Sequence, residues 1–120
     1  MLSHRKTAVT AGAFALALSS LAAIPAAALA ADVAMGKEIA MDRAKGNCIA
    51  CHYLPEGQSP GKIGPALVAI QGRYESKEML REQIYDATVA NPDSSMPPFG
   101  KHKILSDEEF DNVVEYIWSL

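Results

Sequence analysis

The spacing of apolar and polar positions predicts three amphipathic helices in the part of the chain that follows residue 31. The last helix is the most clearly marked. Ser106 and Glu109 form the S-x-x-E pattern of a capping box, and Leu105 precedes them where a hydrophobic staple belongs. Its apolar positions follow i, i+3, i+4, i+7 spacing, at Phe110, Val113, Val114 and Ile117. We predict that this helix runs almost to Leu120.

Two earlier segments show helical spacing as well. The first predicted helix covers residues 34–47 and ends at the stop signal Gly46-Asn47. The second covers residues 76–90, with Ser76 as its N-cap and Asn91-Pro92 as its terminator. Its apolar stripe consists of Met79, Leu80, Ile84 and Ala87.

Two long loops rich in glycine and proline, residues 53–74 and 91–104, separate these helices. No segment shows sustained alternation of apolar and polar residues, so no sheet is expected. Loops of this length are uncommon in a small domain, and they make sense if they surround a ligand. The sequence therefore predicts an all-α domain with three main helices and long loops around a bound group.

The first thirty residues have the pattern of an export signal. Arg5-Lys6 gives a positive start, residues 8–24 are apolar, and Ala28-Leu29-Ala30 fits a cleavage site. We expect residues 1–30 to be a cleaved signal peptide and residues 31–120 to form one domain in the periplasm. An uncleaved membrane anchor is the alternative.

Without the signal the chain has ninety residues, of which nine are basic and fourteen acidic, so its net charge is −5. That balance gives no indication of nucleic-acid binding. The size lies near the lower limit of what one apolar core stabilises. We expect a buried bound group to supply the missing apolar surface, and the protein without it to be largely unfolded.

Both cysteines of the chain lie in one motif, Cys48-Ile49-Ala50-Cys51-His52. C-x-x-C-H is the pattern of covalent c-type haem attachment. Two thiols at this spacing can each bond one vinyl group of a porphyrin, and the following imidazole then lies close enough to ligate the iron. We therefore predict one covalent haem c on Cys48 and Cys51, with His52 as an axial iron ligand.

The cysteine pair fits a redox dithiol, a zinc site or a disulfide less well. A thioredoxin-like C-x-x-C belongs in a βαβ unit, and no such unit is predicted. A zinc site needs four ligands, and it would have to combine the motif with His102 without the usual paired spacing. A disulfide would leave the adjacent histidine and the long loops unexplained.

The second axial ligand has five candidates, Met35, Met41, Met79, Met96 and His102. The first three lie in predicted helices, where methionine is more often part of the core. Met96 lies in a loop stiffened by Pro97 and Pro98, which can hold a thioether at a fixed depth at little entropic cost. His102, flanked by two lysines, is its rival. A His/Met pair leaves no open iron position and so favours electron transfer.

Two further residues are candidates for contacts around the haem. The carbonyl of Pro65 could accept the second N–H of the proximal imidazole, although Gly64-Pro65 is equally consistent with a simple turn. Arg73 could neutralise a haem propionate, or it could be a solvated surface residue.

These motifs resemble class I cytochromes c, and more closely the SoxX family, the small monohaem subunits of the sulfur-oxidising SoxAX complex. The resemblance covers nearly all of residues 31–120, and it is most specific over residues 46–52, 60–65 and 96–105. It implies the class I fold, haem on Cys48 and Cys51, and His52 and Met96 as axial ligands. It also implies that Gly36 and Tyr116 mark the crossing of the first and last helices, with Ala40 where an aromatic residue is usual.

The activity of the SoxAX complex is that of an L-cysteine S-thiosulfotransferase, which oxidatively joins thiosulfate to a cysteine of the carrier protein SoxYZ. The resemblance therefore implies a heterodimer with a dihaem or monohaem SoxA subunit, and onward electron transfer to another cytochrome c. Because the chain has no spare cysteine nucleophile, we expect a non-catalytic relay subunit with the active site on SoxA. A free-standing periplasmic electron carrier is the competing hypothesis, and a six-coordinate iron disfavours a haem-based sensor.

Overall fold

The computed structural model describes residues 31–120, which form three α-helices and two short 3₁₀ turns and contain no β-strand. The helices are α1, Val33–Met41, α2, Lys77–Tyr85, and α3, Asp107–Trp118, and the turns are Cys48–Ala50 and Ile70–Gly72. The predicted all-α class with three main helices is confirmed. The predicted signal peptide lies outside the described residues. Within residues 31–120, no helix has both the length and the apolar character needed to cross a membrane.

The start and the buried face of α3 agree with the prediction. The Ser106 hydroxyl accepts from the Glu109 amide at 3.2 Å, and the Glu109 carboxylate accepts from the Ser106 amide at 3.0 Å, which completes the capping box. Each partner satisfies an amide that the first turn of a helix leaves free. The predicted apolar stripe is buried in full, at Phe110, Val113, Val114 and Ile117.

Helices α1 and α3 cross at Gly36. A Cβ atom at this position would overlap the carbonyl group of Asn112 and lie 2.8 Å from the Cβ of Tyr116. Asn112 is itself buried, and its side-chain oxygen accepts from the Asp32 amide at 2.7 Å. Ala40 is fully buried, so the core accepts a small residue where the resemblance expected an aromatic one.

Two helix ends differ from the prediction. α1 stops at Met41 rather than at 47, and α2 stops at Tyr85 rather than at 90. In both places an aspartate follows the last helical residue, and its side chain accepts a hydrogen bond from the amide two residues further on. Asp42 accepts from Ala44 at 2.8 Å, and Asp86 accepts from Thr88 at 3.1 Å. Such side-chain turns compete with the helical ladder and end it.

One predicted core position of α2 is wrong. Leu80, Ile84 and Ala87 are buried, but Met79 is 47% exposed. The polar face of the same helix is joined to α3 by two ion pairs, Lys77 with Glu115 at 2.5 Å and Arg81 with Asp111. Leu80 and Ile84, which belong to the apolar stripe, face the interior that the loops enclose.

Candidate haem site

The interior holds a cavity of about 650 Å³, which lies within the usual size range of ligand and cofactor pockets. Parts of the chain that are far apart in sequence line it: the cysteine motif, both long loops, α2 and α3. All six residues that the sequence singled out as haem contacts are among them, namely Cys48, Cys51, His52, Pro65, Arg73 and Met96. The fold therefore brings the candidate residues to one place.

The cysteine motif forms a tight turn at the edge of this cavity. Asn47 enters it in the left-handed region, at φ 47°, a conformation that asparagine tolerates better than most residues. The His52 amide then donates to the Cys48 carbonyl at 2.9 Å. Cys48 and Cys51 are both free thiols, and burial raises the pKa of Cys48 to about 11, so its thiol is neutral at ordinary pH.

His52 is held by the segment Gly64-Pro65. Its Nδ1 lies 2.7 Å from the carbonyl oxygen of Pro65. With the proton on Nδ1, this nitrogen donates to the carbonyl and Nε2 is left with a free lone pair, which is the form that binds a metal. The ring packs directly on Gly64, where a Cβ atom would lie 2.8 Å from Nε2. Position 64 therefore has to be glycine for the imidazole to keep this place.

Among the five candidates for the second axial ligand, only Met96 lines the cavity. Met35 and Met79 are each 47% exposed, and Met41 packs against the core outside the cavity lining. His102 is exposed and does not line the cavity either. Met96 is half-buried, and its amide donates to the Ser94 hydroxyl at 3.3 Å.

Arg73 contributes to the wall next to His52. Its Nη1 donates to the carbonyl oxygen of Ala66 at 2.6 Å, one residue beyond the carbonyl that holds the imidazole. Arg73 therefore braces the segment that positions His52. This bond uses one of the five guanidinium N–H donors, and the other four leave room for a contact with a haem propionate. That contact stays a prediction.

The alternative of a zinc site finds no support in this geometry. In residues 31–120, no group of three or more His, Cys, Asp or Glu side chains is arranged to hold a metal ion. His102 is absent from the cavity that the motif lines. The residues present fit haem c instead: two thiols at attachment spacing, an imidazole with one nitrogen occupied by a carbonyl, a thioether, and apolar walls from Leu80, Ile84, Phe99 and Leu105.

One cluster beside the cavity was missed by the sequence-based reasoning. Asp86 is buried, and its carboxylate accepts from Lys101 Nζ at 2.6 Å and from the Thr88 hydroxyl at 2.5 Å. The lysine contact, helped by the threonine, lowers the pKa of Asp86 to about 2. Only the local part of this cluster had a signal in the sequence, because aspartate side chains often accept from the backbone amide two residues further on in a turn. The predicted helix ran through this turn, because its apolar stripe included Ala87.

Comparison with known proteins supports the same kind of site. Residues 31–117 match the family described as cytochrome C oxidase, cbb3-type, subunit III. A chain in the crystal structure of SoxXA from P. pantotrophus is similar, with a TM-score of 0.64 and 25% sequence identity, covering 72% of this chain and 79% of that one.

The chain is also similar to a curated protein whose description names no function. An uncharacterized lipoprotein of Aquifex aeolicus (strain VF5) is 38% identical over 74 residues, which make up 61% of this chain and 36% of the lipoprotein. The chain thus spans about a third of that protein's length.

These likenesses confirm three of the sequence-based predictions: the class I cytochrome c fold, a SoxX-like chain, and covalent haem c as the cofactor. Cys48 and Cys51 stand at the spacing that such attachment requires. The family match extends over nearly all the described residues. The chain therefore belongs to the family of cytochrome c domains described as cytochrome C oxidase, cbb3-type, subunit III.

Proposed function

We propose that this protein is the monohaem electron-relay subunit of a SoxAX-type complex, an L-cysteine S-thiosulfotransferase that couples thiosulfate to a cysteine of a SoxYZ carrier protein. The observation that carries the relay function is the cavity, which Cys48, Cys51 and His52 share with a single further candidate ligand, Met96. Two protein ligands on the iron leave no position for a substrate. The likeness to a chain of SoxXA supports the choice of complex.

In this proposal each side chain has a distinct task. Cys48 and Cys51 would hold the porphyrin through thioether bonds, and His52 would ligate the iron through Nε2 because Pro65 occupies its Nδ1. Met96 would supply the second iron ligand from its proline-stiffened loop. When bound, the haem supplies a one-electron redox centre, and a thioether ligand raises its potential relative to a second imidazole.

The sulfur chemistry itself requires a partner. Joining the outer sulfur of thiosulfate to a carrier thiol forms one S–S bond, and it releases two electrons and the thiol proton. The chain has two cysteines, both in the haem motif, so no third thiol is present to act as a nucleophile. We place that reaction on a larger SoxA-type cytochrome, dihaem or monohaem, from which this subunit passes electrons singly to another cytochrome c.

A periplasmic location follows from the same proposal. Thiosulfate, the carrier protein and the partner cytochrome would all meet this chain after export. Residues 1–30 would then act as the signal peptide and leave residues 31–120 as the mature domain.

The proposal is tested by purifying the protein with its bound partners from native cells grown on thiosulfate. Immunopurification of the periplasmic fraction should recover a second, larger haem protein in equal amount, visible by haem staining and identified by mass spectrometry. Cells that lack this chain provide the control for nonspecific capture.

Two other results would contradict the proposal. Recovery of the protein alone would favour a free-standing electron carrier. Recovery with the subunits of a cytochrome c oxidase would instead favour the role that the family's description names.

A further inference from the structure

The Met96 loop is fastened to the end of α2 at a point outside the cavity. The Lys101 side chain pairs with Asp86 at 2.6 Å, and the Lys101 amide donates to the carbonyl of Tyr85 at 3.2 Å. Gly100 packs on the ring of Tyr85, where a Cβ atom would lie 2.6 Å from Cε2. An ion pair, a backbone hydrogen bond and a packing contact therefore join Gly100 and Lys101 of the loop to Tyr85 and Asp86 at the end of α2.

Asp86 is the fixed half of this junction. Its side chain is 6% exposed, whereas that of Lys101 is 54% exposed. One carboxylate oxygen accepts hydrogen bonds from both the amide and the hydroxyl of Thr88, and the other accepts one from Lys101 Nζ. Because both oxygens are occupied, the carboxylate has a defined direction, and a buried acceptor of this kind strongly favours a cationic partner.

The chain between this junction and Met96 is short and stiff. Pro97 and Pro98 fix two backbone φ angles, and Phe99 is buried against the core. The Ile104 amide donates to the Phe99 carbonyl at 3.1 Å, which closes the loop behind it. The segment from Met96 to Lys101 therefore has few free backbone angles, which couples the position of Met96 to the junction.

We propose that Asp86 is a positioning residue, which through Lys101 holds the Met96 loop closed over the haem cavity. This inference rests on the proposed function, since it requires Met96 to be an axial ligand. Asp86 touches neither the cavity nor any candidate ligand, so it acts only by setting the fraction of molecules whose loop is closed.

The open fraction can be measured with imidazole, which reaches ferric iron only when Met96 has left it. The apparent affinity for imidazole then scales with the open fraction. Loss of a hydrogen bond to a charged group should increase that affinity about tenfold in Asp86→Asn holo-protein. Lys101→Gln should give the same increase, and it leaves the buried turn of Asp86 and Thr88 in place. Lys101→Arg should restore an affinity close to that of the wild type.

A matched control is available on the same pair of helices. Asp111→Asn breaks the exposed ion pair with Arg81, which joins α2 to α3 and includes no residue of the Met96 loop. It should leave imidazole affinity unchanged. Global unfolding by denaturant, measured for every variant, separates general destabilisation from loop opening.

The Met96→Ala variant separates this inference from the proposed ligand set. It should lose the far-red charge-transfer band of Met-ligated ferric haem and bind imidazole most tightly. If it behaves as the wild type, Met96 is not a ligand and the role of Asp86 fails with it, whereas the relay function is judged by the recovery of a partner. If it behaves as expected but Asp86→Asn and Lys101→Gln match Asp111→Asn, the role of Asp86 is overturned and the ligand set stands.

Discussion

His52 is the most constrained of the proposed iron ligands. One ring nitrogen is held by the Pro65 carbonyl at 2.7 Å, and Gly64 lies directly against the ring. None of the glycines in residues 31–120 has a positive φ, so position 64 does not need glycine for its backbone angle. It needs glycine because any side chain would occupy the volume of the imidazole.

A methyl group at Gly64 should therefore disturb the site. We expect Gly64→Ala to lower the free energy of unfolding of the holo-protein by about 1–3 kcal/mol, because His52 has to move. Gly72→Ala is the matched control, since no heavy atom lies within 4 Å of a Cβ atom there. Denaturant unfolding followed by haem absorbance measures both. Equal losses in the two variants would show that contact with His52 is not the cause.

The second ligand can be assigned by a pair of substitutions. Met96 lines the cavity and His102 does not, so the far-red band of ferric haem should persist in His102→Ala and disappear in Met96→Ala. Absorption spectra of the two oxidised proteins are sufficient. A wild-type spectrum without this band, changed by His102→Ala and not by Met96→Ala, would replace Met96 by His102 and lower the expected potential.

At the scale of helices, α1 and α3 pack too closely at Gly36 to accept a side chain there. Asn112 and Tyr116 of α3 leave no room for a side chain there. Gly36→Ala should destabilise the protein by about 1–3 kcal/mol, although alanine is the better helix former. Thermal unfolding monitored by circular dichroism tests this expectation. An unchanged or higher midpoint would mean that the two helices separate at no measurable cost.

Sequence patterns located the helices well but misplaced two of their ends. Ser106 and Glu109 mark the start of α3 because their capping contacts are local and depend only on spacing. Asp42 and Asp86 end α1 and α2 early, because each side chain can satisfy a nearby amide in place of the helical carbonyl. Either choice is locally possible, and tertiary contacts such as the Lys101 ion pair favour the turn at Asp86.

The candidate site was more predictable than the helix ends. Cys48, Cys51 and His52 follow from one contiguous motif, and Met96 from a loop with two prolines. The brace between Arg73 and Ala66, and the clamp between Asp86 and Lys101, depend on how separate loops pack against each other. Spacing along the chain contains no direct signal for such contacts.

At the scale of the whole molecule, a cavity of about 650 Å³ is large for a domain of ninety residues. Its walls include Ile63 and Ile104, which are 75% and 44% exposed, and their apolar surface gains stability only when a group fills the space. The haem is therefore expected to act as a large part of the core.

The protein without haem should accordingly lose most of its helical structure. We expect far-ultraviolet circular dichroism of wild-type chain made without haem attachment to show little helix. The Cys48→Ala/Cys51→Ala variant should behave in the same way, which would exclude the free thiols as the cause. Helical spectra similar to those of the holo-protein would show that the polypeptide core is sufficient alone.

The proposed relay role predicts that electrons from thiosulfate reach this haem only in the complete complex. If the sulfur chemistry lies on a partner, thiosulfate alone lacks both the carrier thiol and the catalytic centre that together release its electrons to this haem. Rapid-mixing absorbance of the oxidised holo-protein, with thiosulfate, a SoxYZ-type carrier and a SoxA-type partner added singly and together, tests this most directly. Haem reduction should occur only when all three are present, whereas reduction by thiosulfate without the partner would contradict the proposal.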